Sequence, residues 1–158
     1  MEKEAFSRQV MDMRQSLYRI AASYLRGEAD RLDAVGEAIA RAWEKRGTLR
    51  DERVFGTWLT RILIRECIAI QRRQKRAVPV ETLPERASDE ATDEAVQQLR
   101  QALEELPQRQ RTMVVLHYME GYDVRETARI MGTTKGAICA GLSRARENLR
   151  TLIGEELE

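Results

Sequence analysis

Apolar residues recur every three or four positions along most of the chain, which is the spacing of one buried face of an α-helix. In the first half this pattern predicts three amphipathic helices, with a short polar loop, TLRDER, before the third. With their expected capping or terminating residues, these helices run from Phe6 to Gly27, from Asp30 to Gly47 and from Phe55 to Arg76.

The second half shows the same periodicity. Leu99, Leu103 and Leu106 share one face of a predicted helix, and Pro107 suits the first turn of the helix that follows. That following helix is expected to end at Gly121. Four helices are therefore predicted in this half, of which the last two carry the clearest start and stop signals.

The last two predicted helices have the pattern of a helix-turn-helix. Asp123 and Glu126 form a D-x-x-E capping box at the start of the first, and Gly132 ends it. Thr134 can cap a longer helix that reaches about Leu152. A short helix, a tight turn and a longer helix are typical of a DNA-binding motif. From the pattern alone, an ordinary helical hairpin in a four-helix bundle remains an equal alternative.

The final helix has an inward and an outward face. Its inward positions are Ile138, Leu142, Ala145 and Leu149. Its expected outward positions are Gly136, Ala137, Ala140, Gly141, Ser143 and Glu147. The outward positions in the first half of this helix are therefore small and apolar.

The composition favours a helical protein of modest size. The chain has 158 residues and a mass of 18.2 kDa, enough for one compact domain or two very small ones. Nine glycines and three prolines are few for an all-β fold with many turns. The sequence shows no signal-peptide pattern and no apolar run of about 18 residues. We therefore expect an all-α, cytoplasmic protein that does not insert into a membrane.

Residue types used in catalysis and metal binding are scarce. Cys67 and Cys139 lie in apolar helical patterns without a CxxC pair, and His117 is the one histidine. Neither a disulfide framework, a zinc site nor a nucleophile–base pair is expected from these residues. We predict that the protein is not an enzyme and uses no metal or cofactor.

The net charge of +1 conceals an uneven distribution. Residues 1–76 contain 17 Lys and Arg against 11 Asp and Glu, residues 77–95 contain one against six, and residues 96–158 contain nine of each. This pattern predicts two helical domains, one of three helices at 1–76 and one of four at 96–158. Two of the three prolines lie between them, so that segment is expected to be a flexible acidic linker.

Basic residues cluster in the third predicted helix. They are Arg61, Arg65, Arg72, Arg73, Lys75 and Arg76, opposed only by Glu66. Neutralising nucleic-acid phosphates requires such a cluster, and we favour this interpretation over a merely solvated helix end. Phe55 and Trp58 could stack on an unpaired base, but two core rings are the preferred interpretation for them.

Taken together, these motifs resemble those of the extracytoplasmic-function (ECF) group of the bacterial sigma-70 factor family. The segments that carry the resemblance are LYRIAASYL (17–25), ADRLDAVGEAIARAW (29–43), FGTWLTRI (55–62), RRQKR (72–76), LEELPQRQRTMVVLHYMEGYDVRETARIMG (103–132) and LSRARENLR (142–150). The resemblance extends from about Phe6 to Ile153, and the order and spacing of the motifs make it specific.

The resemblance implies that residues 1–76 form sigma region 2, which binds the polymerase clamp and reads and opens the −10 element. It implies that residues 96–158 form region 4, which docks on the polymerase flap and places a helix-turn-helix at the −35 element. The implied partners are bacterial core RNA polymerase, promoter DNA as duplex and as melted non-template strand, and an anti-sigma factor, soluble or membrane-anchored. The acidic linker resembles a segment that passes through polymerase channels, although its composition fits plain disorder equally well.

The resemblance also assigns residues to three surfaces. The core-polymerase surface contains Asp30, Asp33, Glu37, Arg41 and Trp43. The −10 surface contains Arg50, Arg53, Trp58, Arg61, Arg65, Arg72, Arg73, Lys75 and Arg76, with loop 48–53 expected to capture a flipped base. The −35 surface contains Thr133, Thr134, Lys135, Ala140, Ser143, Arg144 and Arg146.

Three parts of the sequence depart from the family pattern. Gly36 replaces a usual glutamine before Glu37, and a glycine inside a helix costs about 1 kcal/mol relative to alanine. Arg65 and Ala69 stand where asparagine and aspartate are common. The stretch 139–141, Cys-Ala-Gly, replaces a basic-Ser-Arg stretch and offers no side chain for bidentate pairing with a base edge.

Two other functions remain open. The first is a two-domain helix-turn-helix regulator that keeps this architecture but does not itself initiate transcription. The second is an adaptor whose main activity is binding another protein, a role that is compatible with a sigma factor. Initiation of transcription by core polymerase only in the presence of the protein separates the sigma factor from the regulator.

Overall fold

The computed structural model describes residues 1–76 and 93–157, with side chains described as far as Gly154. Within these ranges the chain forms seven α-helices and no β-strand, which confirms the predicted all-α class. The chain divides into two compact units, three helices lying in the first and four in the second. The predicted flexible linker lies outside the described residues, except for its last three. Of those three, Asp93 accepts a hydrogen bond from the Ala95 amide (3.0 Å) and caps the fourth helix.

The first unit is a three-helix domain. It contains α1 (Lys3–Ala22), α2 (Glu28–Glu44) and α3 (Phe55–Arg76), and all three helices pack against one another. Phe6 lies at the centre of an aromatic cluster, with edge-on contacts to Trp43 (5.1 Å between ring centroids) and Phe55 (5.7 Å). Such contacts stabilise beyond the area they bury. The cluster therefore joins the start of α1 to the end of α2 and the start of α3.

The ends of α1 and α2 differ from the sequence-based expectation. Gly27, not Asp30, is the N-cap of α2, and Asp30 lies in its first turn, where a carboxylate favours the helix dipole. The Asp30 carboxylate also accepts a hydrogen bond from the Gln74 amide of α3 (2.6 Å). The helix α1 ends at Ala22, before Gly27, because the next residue, Ser23, bonds its hydroxyl to the Ile20 carbonyl (2.6 Å).

The end of α2 also comes earlier than predicted, at Glu44 rather than Gly47. Arg46 donates a hydrogen bond to the Trp43 carbonyl (2.7 Å), and Thr48 donates one to the Lys45 carbonyl (2.7 Å). These side-chain contacts satisfy carbonyls that lose their helical partners at a helix end.

The second unit is a four-helix domain. Its helices are α4 (Glu94–Glu105), α5 (Gln108–Val114), α6 (Val124–Met131) and α7 (Lys135–Leu157). A short π-helical segment, Val115–Met119, continues α5. The core is formed by Leu103, Leu106, Met113, Val114, Ala128, Ile138, Leu142 and Ala145. Two boundaries differ from expectation, since Pro107 is the N-cap of α5 rather than part of its first turn, and α7 continues past Leu152.

The signals around α6 operate as predicted. Asp123 accepts a hydrogen bond from the Glu126 amide (2.8 Å), and the Glu126 carboxylate accepts one from the Asp123 amide (3.2 Å). The hydrogen bond from the Glu126 amide holds the pKa of Asp123 below its usual value. Gly132 ends α6 in the left-handed region at φ +67°, and Thr134 accepts the Ala137 amide (3.1 Å) at the start of α7. The helix-turn-helix is thus defined by local chemistry at each boundary.

Arg111 performs a structural task that the sequence pattern did not reveal. Its guanidinium donates hydrogen bonds to the carbonyls of Leu103 (2.9 Å), Glu104 (3.0 Å) and Leu106 (2.9 Å) at the end of α4. These carbonyls lose their helical partners where α4 ends, so Arg111 satisfies them and fixes α4 against α5.

The two cysteines occupy opposite environments, which gives a testable result. Cys67 is buried in α3, where burial raises the pKa of its thiol to about 12, whereas Cys139 is exposed on α7. Because the thiolate is the reactive form, we expect one fast-reacting thiol per native chain at pH 8 and two after unfolding in guanidinium. A chromogenic disulfide reagent measures this count. With Cys139→Ser, the fast-reacting thiol should disappear from the native protein, and its persistence would contradict the assigned environments.

Candidate nucleic-acid and protein interfaces

The exposed side of α3 carries a continuous set of cations, the basic face, formed by Arg61, Arg65, Arg72, Arg73, Lys75 and Arg76. Four of these residues follow one another at spacings of four, seven and four, so they lie along one side of the helix. In the described parts of the chain, none of the six forms an ion pair. The nearby acid Glu66 is turned inward and pairs instead with Arg41 of α2 (2.5 Å).

This arrangement serves helix stability only at the end of α3, where cations in the last turn favour the helix dipole. Arg61–Arg65 and Arg72–Arg76 are like-charge pairs four residues apart, each of which destabilises a helix by about 0.2–0.5 kcal/mol. An uncompensated row of guanidinium and ammonium groups instead suits a polyanion, since each phosphate bound releases a condensed counterion.

The two rings near the start of α3 differ in exposure. Phe55 is 1% exposed and belongs to the core, as preferred from the sequence. Trp58 is half-buried and packs on Phe55 at 5.8 Å between ring centroids, one turn before Arg61. Part of the indole therefore remains accessible beside the basic face.

The loop before α3 is ordered by its own side chains. It contains two single turns of 3₁₀-helix, Arg46–Thr48 and Glu52–Val54, where a plain polar loop was expected. Asp51 accepts hydrogen bonds from the Arg53 amide (3.0 Å) and from two nitrogens of its guanidinium (3.1 and 3.2 Å). The side-chain hydrogen bonds from Arg53 lower the pKa of Asp51. Arg53 is therefore paired with Asp51, whereas Arg50 is exposed on the same loop.

The five residues predicted for polymerase binding on α2 separate into two groups. Asp33 and Glu37 are exposed on one side of α2, the acidic face. Arg41 pairs with Glu66 (2.5 Å) and lies 4.0 Å from Glu37. Trp43 is held between Phe6 and the Arg46 guanidinium, which lies 3.6 Å from the indole centroid. Arg41 and Trp43, like Asp30, therefore make contacts within the domain.

The sequence pattern missed one residue of this surface. Leu32 is 56% exposed on the same side of α2 as the acidic face, so an apolar side chain lies beside two carboxylates. Its exposure could not be read from periodicity, because a leucine in an amphipathic helix is normally assigned to the core. Single exposed leucines are common on protein surfaces, and here Leu32 adds apolar area to the acidic face.

Gly36 lies within the same exposed side and leaves it flat. A Cβ built on Gly36 would meet no atom within 4 Å. We therefore expect Gly36→Ala to raise the free energy of unfolding by about 0.5–1 kcal/mol, since alanine restricts the unfolded chain and favours the helix. Chemical denaturation of the full chain measures this change. An unchanged or lower free energy of unfolding would contradict the open space around the Gly36 Cβ position.

The helix-turn-helix exposes most of the residues predicted for the −35 element. Thr134, Lys135, Ala140, Ser143, Arg144 and Arg146 are exposed, and Thr133 is half-buried. Thr134 is already engaged as the cap of α7, and Arg146 donates a hydrogen bond to the Tyr118 hydroxyl (2.9 Å). The exposed cations of this surface are thus Lys135, Arg144 and Arg146.

One expected outward position on α7 is wrong. Gly141 is buried, and a Cβ built on it would collide with the Met113 thioether of α5. Gly141 lies three residues after Ile138 and four before Ala145, both of which are inward, so its backbone belongs to the inner side of the helix. Ala140 is exposed, as predicted, whereas Cys139 is exposed although its apolar helical pattern favoured a buried position.

Within the described ranges, no helix combines the length and the hydropathy needed to cross a lipid bilayer. The same residues contain no group of three or more His, Cys, Asp or Glu side chains arranged to hold a metal ion.

Comparison with known proteins identifies both units. Residues 10–77 match the family model for sigma-70 region 2, and residues 96–149 match that for sigma-70, region 4. The chain is 31% identical to RNA polymerase sigma factor SigV of Bacillus subtilis over 149 residues, covering 93% of this chain and 90% of SigV. It is also 31% identical to ECF RNA polymerase sigma factor SigM of Mycobacterium tuberculosis over 155 residues, covering 97% and 79% of the two chains.

Solved structures share the fold. The sigma factor RpoE of Bartonella quintana, in complex with the anti-sigma factor NepR, superposes with a TM-score of 0.82 at 24% identity, covering 96% of this chain and 98% of RpoE. CnrH, in complex with the cytosolic domain of CnrY, gives a TM-score of 0.76 at 24% identity, covering 98% and 90%. Family models for both units, and relatives matched over 90% and 79% of their own length, agree with the motifs in the sequence. The chain therefore belongs to the ECF group of the sigma-70 family of RNA polymerase sigma factors.

Proposed function

We propose that this sigma factor binds its partners through three separate surfaces. The acidic face of α2 binds core RNA polymerase, the basic face of α3 holds the separated strand at the −10 element, and α7 contacts the −35 element. The observation that carries the proposal is the basic face, whose six cations form no ion pair in the described ranges.

The dimensions of the basic face suit a single strand. From Arg61 to Arg76 the helix rises about 22 Å, which is long enough to contact several successive phosphates of one strand. Single-stranded nucleic acid is typically held by such a charged track together with aromatic side chains on which bases stack. The accessible part of the Trp58 indole and the loop with Arg50 lie at the start of this track.

The acidic face offers a different kind of surface. Its carboxylates would repel DNA, so Asp33 and Glu37 favour a protein partner with basic side chains. Leu32 adds apolar area to the same surface, which a purely electrostatic contact would not require. This combination supports binding to core polymerase, as the family resemblance implies.

On α7, the side chains favour anchoring over base reading. Lys135, Arg144 and Arg146 can contact phosphates, which fixes the orientation of a helix without reading sequence. The exposed positions between them include Cys139 and Ala140, which offer no bidentate pair for a base edge.

We therefore predict that promoter specificity lies mainly in the −10 element. A saturation scan of one cognate promoter should show −10 substitutions that abolish transcription and −35 substitutions that reduce it only a few-fold. A good bidentate pair with a base edge contributes about 1–3 kcal/mol, and Cys139 and Ala140 of α7 cannot form one. DNA shape provides a baseline of −35 recognition without such pairs. A −35 element as intolerant as the −10 element would contradict this distribution.

We also propose control by an anti-sigma factor and action in the cytoplasm, where core polymerase and the chromosome are found. The resemblance to ECF sigma factors supports this, and two proteins of the same fold were solved in complex with NepR and with the cytosolic domain of CnrY. An anti-sigma factor would compete with core polymerase for this chain, so its addition should reduce holoenzyme formation in a concentration-dependent way.

Permanganate footprinting separates this function from that of a regulator that only binds DNA. Permanganate oxidises unpaired thymines, so we expect reactive thymines around −10 when both the protein and core polymerase are present. Neither component alone should give this pattern. Protection of duplex DNA by the protein without any reactive thymine in the presence of core would favour the regulator.

A further inference from the structure

We propose that Gly141 is a positioning residue that sets how the −35 helix, α7, is presented to DNA. Gly141 is buried where α7 crosses α5, directly against the thioether of Met113, which is 2% exposed. A Cβ on residue 141 would lie 2.8 Å from Met113 Cε and closer still to Sδ. The inference rests on the proposed function, because it assumes that α7 contacts the −35 element.

A larger residue at position 141 would displace the end of the Met113 side chain, the α7 backbone or both. Non-bonded carbon atoms prefer separations of about 3.5–4.0 Å, so a methyl group at 141 must displace either the thioether or the helix. The thioether lies in a core that includes Leu106, Ile138 and Leu142, and protein cores are packed as densely as organic crystals. Sδ and Cε are the end of a flexible side chain, but displacing them would disturb this packed core, so we expect part of the strain to be relieved by moving α7.

Movement of α7 at Gly141 would act directly on the predicted DNA contacts. Ser143 and Arg144 follow within one turn on the exposed side, and Lys135 precedes it by less than two turns. In a helix-turn-helix the second helix reads the groove from a position fixed by the helices behind it. With methionine at residue 113, the absence of a side chain at residue 141 thus allows α7 to pack closely against α5 in this chain.

The experiment compares four full-length proteins bound to core polymerase: wild type, Gly141→Ala, Met113→Val/Gly141→Ala and Gly154→Ala. The double variant approximately conserves core volume and removes the thioether that the new methyl would strike. Gly154→Ala is the matched control, because Gly154 lies on the same helix with no atom within 4 Å of its Cβ position. The probe is a promoter selected with wild-type holoenzyme from a library randomised at −10 and −35, prepared with its −35 element intact or scrambled.

The measured quantity is the ratio of holoenzyme affinity for the intact promoter to that for the scrambled one. We expect Gly141→Ala to lower this ratio at least threefold while affinity for the scrambled promoter stays within twofold of wild type. The double variant should restore the ratio to within twofold, and Gly154→Ala should leave it unchanged. An unchanged affinity for the scrambled promoter separates this effect from a general loss of stability, and restoration by a change at Met113 assigns it to the contact between residues 113 and 141.

Several outcomes would overturn the inference. Two of them concern Gly141→Ala, namely an unchanged affinity ratio or an equal loss of affinity for both promoters. The others are a folded double variant whose affinity ratio stays low, and a wild-type affinity ratio near one. If Gly141→Ala does not fold, the double variant provides the test. Its circular dichroism shows whether it is folded, and its affinity ratio shows whether −35 recognition is restored. Failure of wild-type holoenzyme to initiate from any library member would instead refute the proposed function, a result distinct from initiation with an unaltered ratio.

Discussion

Replacing Arg72, Arg73, Lys75 and Arg76 with glutamine is expected to reduce open-complex formation about tenfold or more and to weaken its salt dependence. These four residues form the end of the basic face and have no ion pair in the described parts of the chain, so their charge is available to phosphates. For single strands, each phosphate contact contributes about −0.7 to the slope of log affinity against log salt concentration. Loss of four contacts should therefore reduce the magnitude of that slope by about 3.

The measurement is permanganate reactivity of the −10 thymines over a salt titration, with holoenzyme assembled beforehand. A matched control removes the same charge from exposed positions outside the basic face, by changing Lys3, Arg8, Arg14 and Arg26 to glutamine. The control variant should keep the wild-type slope. A quadruple basic-face variant with normal opening and a normal slope would show that these residues are only a solvated helix end.

Reversing both charges of the acidic face, Asp33→Lys with Glu37→Lys, is expected to weaken binding to core polymerase on the order of a hundredfold. Both carboxylates are exposed, and their one ion-pair contact in the described residues is the 4.0 Å approach of Arg41 to Glu37. Placing lysines against a basic partner surface creates like-charge contacts, which cost several kcal/mol at an interface. The fold should tolerate both changes because neither side chain is in the core.

A titration of labelled protein with core polymerase measures this affinity, and thermal unfolding checks that the variant remains folded. Glu4→Lys with Asp12→Lys is the matched control, since it makes the same change in charge on exposed positions of α1. The control should bind core within a few-fold of wild type. Equal affinities for wild type and the Asp33/Glu37 variant would remove this surface from the mechanism.

Most of the fold could be predicted because the decisive signals are local. Apolar periodicity, with capping and terminating residues, predicts the seven helices of the described ranges. The caps at Asp123, Gly132 and Thr134 depend on residues within four positions of one another. The predicted start of α2 was wrong because Asp30 is a good capping residue in isolation, while Gly27 already supplies the extended backbone conformation that the cap needs.

The interfaces could be predicted only in part, because which side chains are free is decided by tertiary contacts. Arg41 is separated from Glu66 by 25 positions, and no sequence pattern indicates that the two side chains meet. Gly141 was expected to face outward, whereas the packing of Met113 from another helix shows that its small size allows its burial. The basic face was easier to find, since six exposed cations on one helix need no distant partner.

Run-off transcription measures whether this chain converts core RNA polymerase into a promoter-specific initiating enzyme. Purified core polymerase, the protein and the library-selected promoter should yield a transcript of defined length that begins downstream of the −10 element. Core alone, or core with the quadruple basic-face variant, should yield little of this product. The absence of a protein-dependent transcript, with the protein folded and bound to core, would show that it does not initiate transcription as a sigma factor.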